Sequence, residues 1–331
     1  MLYKHHENNF KPQINKVQDF LNTFRNSKEE RAKITVLVAM SGGVDSSVLA
    51  VLLHKAGFKV IGVTFQLYDI GKVALKKGAC CAGIDIYDAQ KVSQDAGFKH
   101  YILNKETKFN DAVIQTFIDS YFKGETPLPC ASCNQELKIP YLLQLKKTLG
   151  ADVIMTGHYA RIFVESFDKI IKFQDKKEDL NNKNDKQLKK DNFYRQKTRY
   201  SLYKGKDIKK DQTYFLGGLT QENLSVLDFP LGHITKDITR KLAEELNIHI
   251  ATKPDSQDIC FIPDNDYAKF IKKSRPQASK RGDILHIDGY KLGEHDGIIN
   301  YTIGQRKGLG LSYATPPVSY THLRAHETAS D

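Results

Sequence analysis

The sequence predicts an α/β fold built on a parallel sheet, and three observations carry that prediction. Short β-branched apolar runs recur along the first half of the chain, each followed by a segment with helical patterning. Those runs are apolar almost without interruption, as strands buried on both faces are. The first of them opens directly onto a glycine- and serine-rich turn, Ser41-Gly42-Gly43-Val44-Asp45-Ser46-Ser47.

The elements follow in order. Ile34 to Met40 (ITVLVAM) is a buried strand, the turn follows, and Val48 to Leu53 is a helix that stops near Gly57. Lys59 to Gln66 (KVIGVTFQ) is a second strand, Asp88 to Ala96 a helix starting after an acidic cap, and His100 to Leu103 a third strand. Ala151 to Thr156 (ADVIMT) repeats the pattern and opens on GHYAR. Alternation of this kind places ligands at the carboxyl ends of the strands. Further on the character changes. Lys236 to Leu246 is an amphipathic helix, and Gly282 to Ile299 alternates short strands with turn residues such as Asp288-Gly289, which predicts a smaller second domain.

At 331 residues the chain exceeds the usual domain of about 100 to 200 residues. Its longest apolar runs fall far short of the roughly 18 residues of a membrane span, and the first thirty residues lack the apolar stretch of a secretory signal. A cytoplasmic protein with no membrane association is expected. The formal net charge of +11 favours polyanionic partners such as nucleic acid. Much of it is local, because Glu165 to Lys210 carries 15 Lys and Arg against 8 Asp and Glu. The centre of that stretch, Phe173 to Asn192, is polar low-complexity sequence and is expected to be a surface insertion. Five cysteines, an odd number, argue against a disulfide framework. Adjacent Cys80 and Cys81 are expected to serve packing.

The Ser41–Ser47 turn lies between a strand and a helix, where backbone amides and hydroxyls can surround a phosphate at the positive end of the helix dipole. It lacks the lysine of a Walker loop and is not a dinucleotide fingerprint. Cys130-Ala131-Ser132-Cys133 follows two stiffening prolines, and Cys260 stands in KPDSQDICFIP. A CxxC suits redox chemistry, metal ligation or a nucleophile with its helper. A closed zinc site would want a fourth ligand that the sequence does not supply, which leaves sulfur chemistry or a three-cysteine iron-sulfur site.

Six motifs occur in order: SGGVDSS, TPLPCASCN, TGHYAR, KKDQTYFL, DSQDICFIP and YTIGQRKGLG. Together they resemble the bacterial tRNA-specific 2-thiouridylases, members of the PP-loop ATP pyrophosphatase superfamily, over residues 34–316. The resemblance implies a Rossmann-like PP-loop domain of the adenine nucleotide alpha-hydrolase type over residues 31–217, after an N-terminal extension of residues 1–30 and with the Lys-rich insertion at about 165–198. A central domain would occupy 218–313 and the truncated start of a C-terminal β-barrel 314–331, with a tail from about 318 that reads as foreign.

It further implies ATP-dependent 2-thiolation of the tRNA wobble uridine with ATP and Mg²⁺. Ala39, Met40, Ser41, Gly42, Gly43, Val44, Asp45, Ser46, Phe65 and Gly157 would hold the nucleotide, with Asp45 a candidate magnesium ligand. Leu128, Pro129 and Cys130 would lie against the target base, and His158, Lys210, Asp211 and Gln212 would contact tRNA. Cys133 would be catalytic and Cys260 would carry a persulfide delivered by a sulfur-donor or relay protein. Cys130, Cys133 and Cys260 are also the candidate ligands of an iron-sulfur cluster. Rival expectations are another adenylating PP-loop enzyme, such as a lysidine synthetase or an amidotransferase-type synthetase, and a non-catalytic RNA-binding remnant.

Overall fold

The structure is a computed structural model that describes residues 16–24, 26–68, 82–166, 198–255, 258–262, 266–286, 288–305, 308–311 and 323–326. Cys80, Cys81 and the centre of the Lys-rich insertion lie outside the described residues. Two compact units interleave along the chain. The first comprises Met1–Gln66, Gly83–Asn104 and Lys138–Asp255, the second Leu67–Ala82, Lys105–Leu137 and Ser256–Asp331.

The first unit is organised by a five-stranded sheet of β1 (Thr35–Ala39), β2 (Lys59–Gln66), β3 (Lys99–Asn104), β4 (Val153–Thr156) and β7 (Leu227–Asp228), in the order β3-β2-β1-β4-β7. Every pairing is parallel. Side chains alternate across β1 as the two-residue period requires. Val36 and Val38 join the core formed by the helix Val44–Lys55 and by Leu242 and Ala243, while Leu37 joins the opposite core of Ile139, Leu142, Ile154 and Phe229. Layers on both faces explain why β1 and β2 are apolar through their centres, with Thr35, Lys59 and Gln66 at strand ends. The strand order reverses at β1, with β2 on one side and β4 on the other, so a crevice is expected beyond the carboxyl end of β1. That end runs into the Ser41–Ser47 turn.

Two elements differ from the sequence expectation for identifiable reasons. The helix expected from Asp88 spans Ala82–Ala96; Asp88 is a buried mid-helix residue whose carboxylate meets Lys253 and His249 rather than capping a helix. β4 begins only at Val153, because Asp152 clamps Thr35 from outside the ladder. Its backbone N–H donates to the Thr35 carbonyl (2.8 Å) and its carboxylate accepts from the Thr35 N–H (2.7 Å).

Strands β5 (Ala160–Ser166) and β6 (Thr198–Lys204) form a separate antiparallel pair in full register from Ala160↔Lys204 to Ser166↔Thr198. In the second unit, β8 (Gly282–His286) and β9 (Lys291–His295) form the hairpin expected around Asp288-Gly289, where Gly289 takes φ +92°. β10 (Leu323–His326) adds to the other edge of β8, antiparallel.

Candidate active site

The turn after β1 is fixed from three sides. Met40 donates its N–H to the Val63 carbonyl of β2 (2.8 Å), and its own carbonyl accepts from the Thr64 hydroxyl (2.8 Å). Within the turn, Ser46 Oγ accepts from the Ser41 N–H (3.0 Å) and Ser41 Oγ accepts from the Gly43 N–H (3.3 Å). Gly42 has φ +77°, and a Cβ there would sit 2.0 Å from the Asp85 carbonyl oxygen, so only glycine fits. Gly157, in the turn after β4, approaches so closely that a Cβ would lie 2.9 Å from the Ser46 backbone nitrogen. Gly43 is the N-cap of the twelve-residue helix Val44–Lys55 and offers no side-chain cap. The first-turn amides therefore lie at the positive end of the dipole, an arrangement suited to a polyphosphate. Ala39 through Ser46 and Gly157 are thus brought together, and Phe65 stands near the carboxyl end of β2, partly buried in the core beneath.

Asp45, in the first turn of that helix, meets a partner the sequence did not reveal. Lys236 Nζ lies 2.6 and 2.7 Å from its two carboxylate oxygens, and the Tyr159 hydroxyl donates to it at 2.9 Å. Burial and the Asp45 charge both push the Tyr159 hydroxyl upward, so it remains a donor. Lys236 is 7% exposed and also meets Asp255 at 2.8 Å. Asp255 gathers three cations, the others being Arg240 (2.8 Å) and Lys210 (2.9 Å). Burial alone would raise its carboxyl pKa, but hydrogen bonds from Lys236 and Lys210 outweigh that and bring it to about 2. Two residues before it, Lys253 donates to the Gly42 carbonyl (3.0 Å), Asp85 (2.6 Å) and Asp88 (2.5 Å). Burial acts against the Lys253 charge, but these two carboxylates hold its pKa above the ordinary lysine value. The Asp45 side chain keeps 30% exposure, and its oxygens are donors of the kind magnesium takes, so the loop fits a magnesium–triphosphate.

The residues expected to contact tRNA surround Tyr159. His158 is partly buried, with Nδ1 2.6 Å from Thr156 Oγ1 and its ring edge-on to Phe229. Burial, aided by Lys138, lowers its pKa to about 4, so at neutral pH it presents a neutral imidazole. Gln212 Oε1 accepts from the Tyr159 N–H (3.0 Å), and Asp211 accepts from the N–H of Gly205 and the hydroxyl of Thr213. Both side chains brace their own loop. Lys209, Ile208 and Tyr214 face outward instead, Ile208 at 78% and Tyr214 at 74% exposure.

Leu128, Pro129, Cys130, Cys133 and Cys260 all belong to the second unit. Pro129 starts the short helix Pro129–Cys133 at a position where its missing N–H costs nothing. That helix leaves Cys130 exposed and Cys133 buried, and it packs on the π-turn Asn110–Ile114. Cys260 is half-buried, and its neighbour Phe261 is wedged edge-on between Phe109 (5.6 Å) and Phe117 (5.4 Å). Both cysteine segments therefore border the same stretch, residues 109–117. Among the described residues, no group of three His, Cys, Asp or Glu is gathered to hold a metal ion. Cys130, Cys133 and Cys260 are thus not gathered as a three-ligand group among the described residues.

Lys253 and Asp255 flank Pro254 in the motif that carries Cys260, so a signal for them stood in the sequence. Lys236 gave none beyond starting an amphipathic helix. A cavity beside the amino-terminal ends of β1 and β4, lined by Ile34, Asp152, Val153, Ile162, Tyr200 and Asp228 among others, contains none of the expected site residues.

Residues 34–264 match the family described as tRNA methyl transferase HUP domain, and residues 268–321 the tRNA methyl transferase PRC-barrel domain. A tRNA-specific 2-thiouridylase of Rickettsia bellii (strain OSU 85-389) is 51% identical over 282 residues, 85% of this chain and 68% of that protein. The one from Rickettsia prowazekii (strain Madrid E) is 50% identical over 85% of this chain and 70% of its own length. Among the described residues, no helix is long and apolar enough to cross a membrane. With the nucleotide loop, the cysteine segments and matches of this extent in one polypeptide, the chain belongs to the tRNA-specific 2-thiouridylase family.

Proposed function

We propose that this protein replaces the C2 oxygen of the tRNA wobble uridine with sulfur at the expense of ATP. The observation that carries the reading is one chain holding both a polyphosphate cradle at Ser41–Ser46 and paired cysteine segments, in relatives named for tRNA 2-thiolation. A uridine carbonyl has no leaving group, so its oxygen is first joined to the α-phosphorus of ATP and pyrophosphate departs. The first-turn amides of the helix Val44–Lys55 stabilise that anion. Magnesium, when bound, neutralises part of the triphosphate charge.

The terminal sulfur of a Cys260 persulfide then attacks C2, and AMP leaves with the original oxygen. The Cys133 thiolate attacks the Cys260 sulfur, the S–S bond breaks to leave the thiocarbonyl on C2, and a Cys133–Cys260 disulfide remains; a thiol reductant returns both cysteines to thiols, after which a persulfide sulfur-donor or relay protein reloads Cys260. Leu128, Pro129 and exposed Cys130 border the base, which must leave the anticodon stack to react. Lys210 and neutral His158 face the RNA, while Asp211 and Gln212 act by shaping the loop. Outward Tyr214 and Ile208 beside Lys209 and Lys210 suit an unstacked, single-stranded segment, which combines apolar base faces with phosphate.

The test is ATP-dependent incorporation of sulfur into unmodified tRNA transcripts with a persulfide donor. Sulfur is expected at the wobble uridine, with Cys133→Ser and Cys260→Ser each lowering the rate about a thousandfold or more while ATP binding persists. Thiolation that survives either substitution would overturn the assignment of that cysteine. ATP binding with no thiolation by the unsubstituted protein would overturn the function.

A further inference from the structure

The cation chain around Asp255 has a property that the thiolation chemistry does not call for. Lys236 is shared between two carboxylates, Asp45 on the nucleotide helix (2.6 Å) and Asp255 (2.8 Å). Asp255 is itself shared: Oδ1 takes Lys236 and Arg240, and Oδ2 takes Lys210 at 2.9 Å. The exposures differ along this chain. The Lys236 side chain is 7% exposed and is held further by its backbone N–H, which donates to Asp207. Lys210 is 40% exposed and lies on the loop with outward Lys209 and Tyr214. One end of the ionic chain therefore faces solvent on the RNA side, and the other ends in the first turn of the nucleotide helix.

We propose that Asp255 is a positioning residue that couples the two substrates, so that tRNA docking at Lys210 tightens the binding of magnesium–ATP at the Ser41–Ser46 loop. The inference rests on the functional reading above, which places Lys210 against tRNA. A tRNA phosphate that takes Lys210 removes one counter-charge from Asp255. Its carboxylate, only 21% exposed, is poorly compensated by water and draws Lys236 more strongly. Asp45 then loses part of its hold on Lys236, and the divalent cation that accompanies the triphosphate takes over as its counter-charge. Lys236 thus has two arrangements, and each substrate favours the same one. Such coupling is reciprocal: ATP must tighten tRNA binding by the factor by which tRNA tightens ATP binding.

The experiment measures the dissociation constant of a non-hydrolysable ATP analogue with magnesium, by titration calorimetry, without and with saturating unmodified tRNA transcript. The full chain is compared with Asp255→Asn and Lys210→Met. The expected result is tightening by about fivefold or more in the unsubstituted protein, at the lower end of common couplings, falling below about twofold in both variants. Lys210→Met keeps the test decisive if Asp255→Asn fails to fold, since Lys210 is the exposed member of the chain. Coupling below twofold in a protein that binds both ligands would overturn the proposal, as would coupling that persists in Lys210→Met. Absence of any tRNA binding by the unsubstituted protein would instead sink the functional reading, and this inference with it.

Discussion

Two regions beside the parallel sheet treat partly buried carboxylates in opposite ways. At the carboxyl end, Asp45 and Asp255 share Lys236, Asp85 and Asp88 share Lys253, and burial is outweighed by charge-assisted hydrogen bonds. In the cavity beside β4 and β7, Asp228, in register with Met155, accepts the backbone N–H of Phe229 (2.8 Å), and among the described residues no cation pairs with it. Burial pushes the Asp228 carboxyl up to about 6, whereas Asp255 is held at about 2. The contrast separates a region built to keep charge from one that merely tolerates a carboxyl. Ion pairs kept from water, each costly to desolvate, are concentrated around the turn that would handle a triphosphate.

The largest effect should come from the turn itself. Gly42→Ala introduces a Cβ 2.0 Å from the Asp85 carbonyl at φ +77°, and about 3 kcal/mol of stability should be lost, with ATP affinity, in denaturant titration and nucleotide binding. Unchanged stability would mean that the helix Ala82–Ala96 does not close over the loop. Lys236→Met comes next. It leaves Asp45 and Asp255 short of a cation, and because they keep 30% and 21% exposure the cost is about 2 kcal/mol, below that of a fully buried pair. A loss no greater than that of an exposed pair such as Lys91–Asp95 would erase the distinction between the two regions.

The third test is the pH dependence. His158 has a folded pKa of about 4, below its unfolded value near 6.5, so the unfolded chain takes up the proton first as pH falls. Its contribution is fully present above pH 6.5 and is lost as pH falls towards 4, and His158→Gln should flatten the melting temperature over that window. Asp228 has the opposite sign. Its folded pKa lies above the unfolded one, so its contribution is present below pH 3.8 and is lost as pH rises through about 6. Asp228→Asn should therefore stabilise the protein at pH 7.5 by about 1 kcal/mol and leave it unchanged at pH 3.5. Destabilisation at both pH values would mean that the carboxylate has a cationic partner after all.

What the sequence revealed and what it concealed follows the range of the interactions. β2 was legible in full and β1 to within a residue at each end, because a strand covered on both faces must be written as an apolar β-branched run. The Ser41–Ser47 turn was legible because a glycine at positive φ, Gly42, and hydroxyls that reach back to amides fall within seven consecutive residues. The Lys236–Asp45 clamp spans 191 positions, and a lysine that opens an amphipathic helix reads the same whether it points to water or to a carboxylate. Asp88 misled for a related reason. An acidic residue before an apolar stretch looks like a cap, whereas its partner Lys253 lies 165 positions away.

The antiparallel pair β5–β6 carries a consequence for how this chain tolerates change. Its ladder runs without a slip from Ala160↔Lys204 to Ser166↔Thr198, so the two ends of the basic insertion are already stapled side by side by backbone hydrogen bonds. The entropy of closing a chain grows only with the logarithm of its length, and here the ladder itself holds Ser166 beside Thr198, so the register that leads to Tyr159 is set by the strands rather than by the length of chain that joins them.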